Sequence, residues 1–266
     1  MGICNVTPDS FSDGGRAFTP GAAVTHATGL VAAGADLIDV GGESTRPGVA
    51  ERVPEAEERR RVLPVVAELA GRGIPVSVDT MRASVAWAAV QAGAVVINDV
   101  SGGLADPDML SVMAETGVVS VLMHWRGPSA TMDQADVYDD VLAQVKAELA
   151  TRVQAALAAG VKPGAIVLDP GLGFAKAGRN NWPLLTGLDH LAELGYPLLV
   201  GASRKRFLAE VSALGQGQAP PAGRDAATAA VTALVAAAGV WCVRVHEAAA
   251  NAAAVHLAQV WRAYHS

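Results

Sequence analysis

Polar side chains follow short apolar runs at several points along the chain. The clearest example is Val167-Leu168-Asp169-Pro170-Gly171, in which a carboxylate follows the run and Pro170, which lacks an N–H, ends strand pairing. Gly171 and Gly173 permit left-handed turns and a close approach of the backbone to a ligand. A single Asp-Pro-Gly is equally compatible with a turn-stabilising aspartate, but repetition of the pattern favours a site. The other polar residues that end apolar runs are Asn5, Asp79, Asn98, His124, Ser203, Lys205, Arg244 and His246.

These residue types restrict the chemistry of such a site. Two acids and an amide can accept hydrogen bonds from, and donate them to, a flat amine-rich heterocycle, and Lys205 can donate to a ring carbonyl. Arg244 and His246 share one face of a strand and suit an anion such as phosphate. The sequence has no Cys/His cluster with zinc spacing, no Gly-x-Ser-x-Gly elbow and no Walker sequence. For His124, a packed core histidine remains the alternative.

Eight apolar runs alternate with eight helical patterns, which predicts strands followed by helices in a parallel sheet. The predicted strands are 2–6, 36–40, 74–78, 94–97, 118–123, 165–168, 197–201 and 241–245, and the predicted helices are 21–34, 54–72, 82–92, 107–116, 138–159, 182–194, 224–238 and 247–264. Eight such units favour a TIM (β/α)8 barrel, whose active site lies at the carboxyl ends of the strands. A doubly wound open sheet is the alternative, but no glycine-rich phosphate turn follows the first strand. We expect residues 1–266 to form a single domain.

Composition excludes several classes of protein. Of the 266 residues 51% are hydrophobic and 17% charged, which predicts a sizeable core rather than disorder. The net charge of −6 argues against non-specific nucleic-acid binding. Two cysteines are too few for a disulfide framework and indicate a reducing, cytoplasmic location; strand alternation turns Cys4 outward and Cys242 inward, so both should be free thiols. The uncharged run 226–243 is predicted as a buried helix and a buried strand rather than a membrane span.

Taken together, the motifs of this chain resemble those of dihydropteroate synthase, a family of pterin-binding TIM barrels. They cover almost the whole chain in the family's order, and the segment Leu122-Met123-His124-Trp125-Arg126 is similar to the sequence of actinobacterial members. The matching segments are Asn5-Val6-Thr7-Pro8-Asp9-Ser10-Phe11-Ser12-Asp13-Gly14-Gly15, Asp39-Val40-Gly41-Gly42-Glu43-Ser44-Thr45-Arg46-Pro47-Gly48, Ser77-Val78-Asp79-Thr80, Asn98-Asp99-Val100-Ser101-Gly102, the run from Leu168 to Lys176, Gly201-Ala202-Ser203-Arg204-Lys205-Arg206-Phe207 and Arg244-Val245-His246.

The resemblance implies the condensation of 6-hydroxymethyl-7,8-dihydropterin pyrophosphate with p-aminobenzoate, giving 7,8-dihydropteroate and pyrophosphate on the route to folate. It implies a cytoplasmic homodimer that binds these small molecules, uses magnesium and is a target of sulfonamides, with no nucleic-acid or membrane partner. The implied site residues are Asp79, Asn98, Asp169 and Lys205 for the pterin, Asn5, Arg244 and His246 for the pyrophosphate, Phe11, Thr45, Pro47 and Ser203 for p-aminobenzoate, Asn5 for magnesium, and Asn5, Lys205, Arg244 and His246 for catalysis.

Two other functions share much of this pattern. A methyltransferase that passes a methyl group from a folate to a corrinoid would share the barrel and the pterin-binding acids, but should lack Ser203-Arg204-Lys205 and the first-loop sequence. A non-catalytic pterin-binding paralogue is the second alternative. The intact segment Ser44-Thr45-Arg46-Pro47-Gly48 favours an active enzyme.

Overall fold

In the computed structural model, residues 1–7, 19–43, 53–128, 132–176, 178–212 and 219–264 are described. Within these ranges eight parallel strands alternate with helices in chain order. The strands are β1 (Gly2–Asn5), β2 (Ile38–Gly41), β3 (Val76–Asp79), β4 (Val96–Asp99), β5 (Val119–Met123), β6 (Ile166–Asp169), β7 (Leu199–Val200) and β8 (Cys242–Val243). The helices are α1 (Pro20–Ala32), α2 (Glu55–Gly71), α3 (Ala83–Gln91), α4 (Met109–Thr116), α5 (Val141–Ala158), α6 (Trp182–Thr186), α7 (Leu188–Ala192), α8 (Ala209–Ser212), α9 (Asp225–Ala237) and α10 (Ala249–Ala263).

The sheet closes on itself. Strands β1 to β6 pair in sequence order and β7 pairs with β8. Isolated parallel bridges join Gly2 to Val245 and Leu168 to Leu198, so the two sheets meet at both of their edges. Across the first junction Ile3 N donates to Val245 O at 2.9 Å. The predicted TIM barrel is confirmed, and the open-sheet alternative is wrong.

Strand alternation fills the barrel in layers. Near the amino ends of the strands the interior is apolar, with Cys242 packed against a cluster of Met1, Val96, Val121, Val167 and Leu199. Toward the carboxyl ends it becomes polar, because the register aligns Gly41, Asp79 and Asn98 across three neighbouring strands. Cys4 points the other way, with Sγ 3.5 Å from Ala23 O of α1. Both cysteines are free, as predicted.

Local sequence explains where the helices begin. Thr19 caps α1, accepting a hydrogen bond from Ala22 N at 3.3 Å, and Pro20 occupies its first turn. Asp140 caps α5 in the same way, accepting from Ala143 N at 3.0 Å. The first turn of α2 carries Glu55, Glu57 and Glu58, which complement the positive end of the helix dipole.

Two predictions about helices were wrong in part. The predicted helix 182–194 is two short helices that meet at Gly187, where a Cβ would lie 2.5 Å from Leu142 Cδ2 of α5. Packing against α5 therefore breaks a segment that its own apolar pattern favours as one helix. The run 226–243 is a helix and a strand, as predicted, but neither is fully buried. Helix α9 buries only one face, with Leu234 72% exposed, and both residues of β8 are partly exposed. No helix in the described ranges has the length and apolar character needed to cross a membrane.

Candidate active site

A partly buried guanidinium bridges two buried carboxylates at the barrel mouth. Arg244 donates from Nε to Asp39 Oδ2 and from Nη2 to Asp79 Oδ2, at 2.6 Å each. Burial opposes the charge on Arg244, but Asp39 and Asp79 raise its pKa above the ordinary value. Burial raises the pKa of Asp79 to about 7, an effect that Arg244 opposes. The three residues lie on β2, at the end of β3 and just after β8, and they hold these parts of the barrel in one charged network.

Asp39 was missed as a site residue in the sequence. Its side chain is fully buried, and Asn98 Nδ2 donates to its Oδ2 at 3.2 Å. The available signal was an acid inside the apolar run Ile38-Asp39-Val40, because a buried carboxylate requires a cation or a hydrogen-bond donor. Its partner Arg244 is 205 positions away, which no local pattern reveals.

Asp169 stands at the end of β6, as its strand-end position predicted. Its Oδ1 accepts a hydrogen bond from Gly171 N at 2.7 Å. Burial raises its pKa, and Lys205 acts in the opposite direction. Its Oδ2 lies 3.9 Å from where a Cβ on Gly201 would be, and Arg244 Cβ lies at the same distance from that point. The glycine thus leaves a space between Asp169 and Arg244.

Lys205 lies over the loop that follows Asp169. Its Nζ donates to Leu172 O and sits 4.7 Å from the centre of the Phe174 ring. Burial lowers its pKa to about 8, while Asp169 acts against that shift. Gly173 has φ of +73°, and a Cβ there would lie 2.9 Å from Lys205 Cδ, so this position requires glycine in both respects.

Ser203 and His246 form a second pair at the mouth. Ser203 Oγ lies 2.9 Å from His246 Nδ1 and also accepts from His246 N at 3.1 Å. The predicted anion site joined His246 to Arg244, whose guanidinium is here bound to two carboxylates. That anion site stays a prediction.

His124 belongs to a different place from the other strand-end residues. Its Nε2 lies 2.9 Å from Glu148 Oε2 on α5, which packs outside the barrel, and its Nδ1 lies 2.8 Å from Lys176 Nζ. Burial lowers the pKa of His124 to about 3, so the ring is neutral. Burial, followed by the charge of Lys205, lowers the pKa of Lys176 to about 7. Placing His124 at the mouth was therefore wrong, and the packed-histidine alternative is the better description.

The remaining predicted site residues are those of the p-aminobenzoate pocket and the magnesium ligand. Phe11, Thr45 and Pro47 lie outside the described residues, as do most of the two loops that contain them. Among the described residues no three His, Cys, Asp or Glu side chains gather closely enough to hold a metal. Asn5 Oδ1 lies 3.6 Å from where a Cβ on Gly41 would be, so the absence of a side chain at Gly41 leaves room beside this amide oxygen.

Comparisons with known proteins agree with this geometry. Residues 1–246 match the family of pterin binding enzymes. The dihydropteroate synthase of Mycobacterium leprae (strain TN) is 53% identical over 263 residues, 98% of this chain and 92% of that protein. The structure of Xanthomonas albilineans dihydropteroate synthase with 4-aminobenzoic acid has a TM-score of 0.89 at 45% identity, covering 100% of this chain and 92% of that one. The Yersinia pestis dihydropteroate synthase in a sulfonamide drug complex has a TM-score of 0.91 at 40% identity, covering 98% and 93%.

Proposed function

We infer that the chain, which belongs to the dihydropteroate synthases of the pterin-binding enzyme family, condenses 6-hydroxymethyl-7,8-dihydropterin pyrophosphate with p-aminobenzoate. The products are 7,8-dihydropteroate and pyrophosphate, in folate biosynthesis. The enzyme is a transferase of an alkyl group other than methyl. The observation that carries the inference is the set of buried Asp79, Asn98 and Asp169 and the partly buried Lys205 at the carboxyl ends of the strands, in a chain 53% identical to one such synthase.

The proposed pterin site uses Asp169, Asn98, Asp79 and Lys205. Asp169 and Asn98 hold the amino and amide edge of the ring, because a carboxylate accepts two hydrogen bonds and an amide offers both a donor and an acceptor. Lys205 donates to the ring carbonyl. Asp169, Asn98 and Asp79 are buried, which supports the assignment, because buried polar groups are costly to leave without hydrogen-bond partners.

The proposed leaving-group site uses Arg244, His246 and Asn5. Cleavage of the C–O bond runs ahead of attack by the aniline nitrogen of p-aminobenzoate, so negative charge gathers on the departing pyrophosphate. Preorganised donors lower the free energy of that state. Arg244 must then share its guanidinium between the pyrophosphate and the acids that it binds in this structure. Ser203 borders the p-aminobenzoate, with Phe11, Thr45 and Pro47 predicted to complete that pocket.

We also propose that magnesium binds through Asn5. An amide oxygen is the type of ligand that magnesium prefers, and a single protein ligand suits an ion that keeps waters and takes its other ligands from phosphates. The room beside Asn5 at Gly41 supports this choice. When bound, the ion would neutralise charge on the pyrophosphate oxygens.

Pyrophosphate release from the purified protein tests the proposed reaction. Release over many turnovers should require both the pterin pyrophosphate and p-aminobenzoate, because the pterin cation left by C–O cleavage must be consumed in each turnover, and it should stop when a chelator removes magnesium. A non-catalytic paralogue would bind the pterin without releasing pyrophosphate. A corrinoid methyltransferase would instead transfer a methyl group from a methylfolate to a corrinoid.

The protonation of Lys205 gives the pterin affinity a pH dependence. The free enzyme holds this amine at a pKa of about 8, and only the ammonium form is a strong donor to the ring carbonyl. The pterin dissociation constant should therefore rise above pH 8, by about tenfold for each further unit until the amine of the complex also titrates. Calorimetry across pH 6–10 measures this rise of the dissociation constant with pH. Lys205→Met should bind the pterin more weakly, and its dissociation constant should not rise at pH 8. Titration of Lys176, whose pKa is about 7, should not replace that rise.

We propose that two copies of the chain associate through α10. Leu257, Val260, Trp261 and Tyr264 recur at helical spacing, and all four are exposed, Tyr264 by 87%. An apolar stripe of this kind is typical of an interface between subunits. Sedimentation should give twice the 27.1 kDa of the chain, and the double substitution Leu257→Arg with Trp261→Arg should give the monomer. Gln259→Arg, on the same helix but off the stripe, should leave the dimer intact.

We propose a cytoplasmic location. Two free thiols, with Cys4 buried, suit a reducing compartment. Fractionation of the producing cells should recover the protein with cytoplasmic markers, and recovery from an oxidising compartment would contradict the proposal.

A further inference from the structure

Lys176 is a fully buried lysine to which the proposed reaction assigns no role. It is 2% exposed and ranks among the largest fully buried side chains of the described residues. Lysine is almost never buried to this extent without specific partners, because removing an ammonium from water is costly. The sequence places it at the end of the loop that begins with Asp169.

Its ammonium joins this loop to strand β5. Lys176 Nζ donates to Gly171 O at 3.0 Å and to Phe174 O at 2.8 Å, both within the loop. The third partner is His124 Nδ1 at 2.8 Å, just after β5. An ammonium has three N–H donors, and three acceptors surround it here. Lys176 is therefore a tether between the loop and the neighbouring strand.

His124 is itself held from the outside. Its Nδ1 accepts from Lys176, so its Nε2 carries the proton and donates to Glu148 Oε2 at 2.9 Å. Arg126 Nε donates to the same carboxylate oxygen at 3.1 Å. The ring thus has a fixed tautomer and orientation, and it presents its lone pair to Lys176.

The backbone of the loop requires such a tether. Ala175, next to Lys176, has φ of +49° although it is not glycine, and its side chain is fully buried. Gly171 has φ of +68°, and a Cβ there would lie 2.4 Å from His124 O. A strained non-glycine residue persists only where surrounding contacts determine its conformation, and such residues cluster at functional sites.

The tethered loop is also the support of Lys205. Leu172 O accepts the hydrogen bond from Lys205 Nζ, and the Phe174 ring lies beneath that ammonium. Leu172 lies between Gly171 and Phe174, the two residues whose carbonyls Lys176 binds, and the ring belongs to Phe174 itself. Asp169 opens the same loop and is bonded to Gly171 N.

We propose that Lys176 is a positioning residue of the pterin site, which fixes the loop 169–175 to strand β5 through His124 and so sets the relative placement of Asp169 and Lys205. The proposal rests on the proposed function, because it assigns a role in binding the pterin. Lys176 acts through the loop and does not contact the substrate. The charged and titratable groups nearest to it are Asp169, Lys205, Arg126, Glu148 and His124.

Calorimetric titration with 7,8-dihydropterin tests the proposal in three variants. Lys176→Met removes the tether, and His124→Leu removes its acceptor while leaving the lysine in place. His124→Asn retains an acceptor near the position of Nδ1. We expect the pterin dissociation constant to rise at least tenfold in Lys176→Met and His124→Leu, and less than threefold in His124→Asn. In the assay of pyrophosphate release, the first two variants should raise KM for the pterin substrate more than they lower kcat.

Two controls separate positioning from general stability. Leu149→Ala removes a fully buried side chain of α5 and lowers stability away from the site, so its pterin affinity at 25 °C should equal that of the wild type. Lys146→Met removes a surface lysine bonded to Glu193 and should change neither property. If Lys176→Met loses stability as Leu149→Ala does and keeps the wild-type pterin affinity, Lys176 is structural only and the proposal is overturned.

A measurement without substrate keeps this test distinct from the test of function. The Lys205 amine of lysine-labelled protein can be titrated by NMR. Release of the loop in His124→Leu should expose this amine and move its pKa from about 8 toward the ordinary value of 10.5. If the wild type binds no pterin but His124→Leu still shows this shift of the Lys205 pKa, the proposed function is refuted and the tether is retained. An unchanged Lys205 titration in His124→Leu overturns the tether, whatever the activity of the wild type.

Discussion

Asp169→Asn lowers the affinity for the pterin at least a hundredfold and removes measurable turnover. The carboxylate can accept two hydrogen bonds from the amine-rich edge of the ring, whereas an amide must present an N–H to one of those donors. The cost of a buried donor left without an acceptor is about 1–3 kcal/mol, and more where a charge is involved. Its Oδ1 is already engaged by Gly171 N, so Oδ2 is the oxygen that faces the space at Gly201.

This loss of affinity should not come from unfolding. Burial raises the pKa of Asp169. At any pH above the ordinary pKa of the carboxyl, keeping this group in the folded protein therefore lowers the free energy of unfolding. A neutral amide does not bear that cost, so the free energy of unfolding at pH 7 should be unchanged or greater. Calorimetry with 7,8-dihydropterin and urea denaturation measure the two quantities. Asp225→Asn, outside the site, is the matched control, and wild-type pterin affinity in Asp169→Asn would remove this residue from its role.

Arg244→Met destabilises the fold by about 3–5 kcal/mol, because it leaves Asp39 and Asp79 buried without their cation. Urea denaturation measures the loss. Arg204→Met is the matched control: Arg204 makes two hydrogen bonds of 2.7 Å to Asp225, but the pair is partly exposed and should contribute about 0.2–1 kcal/mol.

The pH dependence distinguishes this cause from simple loss of packing. Without Arg244, the folded-state pKa of Asp79 should rise further above its unfolded value. A group with a raised folded pKa contributes stability below its unfolded pKa and loses it as pH rises through the folded value. Arg244→Met should thus come closer to wild-type stability at pH 5 than at pH 8. An equal deficit at both values would indicate packing rather than charge.

The strand-end rule predicted much of the candidate site, and its omissions have a common cause. Asn98, Asp169 and Lys205 follow apolar runs, and the topology alone brings them to one mouth. Asp39 lies within a strand and Lys176 beyond a loop, so their importance depends on partners at Arg244 and His124 that are distant in the sequence. Folding decides those contacts.

The barrel could be predicted from the sequence because it depends on local patterns. The alternation of strands and helices is a local property, and eight units close in only a few ways. The break at Gly187 depends on Leu142, a residue of another helix, and no periodicity within 182–194 indicates it. His124 follows a strand like the candidate site residues, but the alternation of side chains along β5 points it away from the barrel interior, and its Nε2 lies 2.9 Å from Glu148 Oε2.

Product formation tests the central claim most directly. Wild-type protein incubated with 6-hydroxymethyl-7,8-dihydropterin pyrophosphate, p-aminobenzoate and magnesium should form 7,8-dihydropteroate, identified by mass, in a one-to-one ratio with the pyrophosphate released. Asp169→Asn should form neither product under the same conditions. Pyrophosphate release without dihydropteroate, or equal formation of dihydropteroate by the variant, would contradict the account.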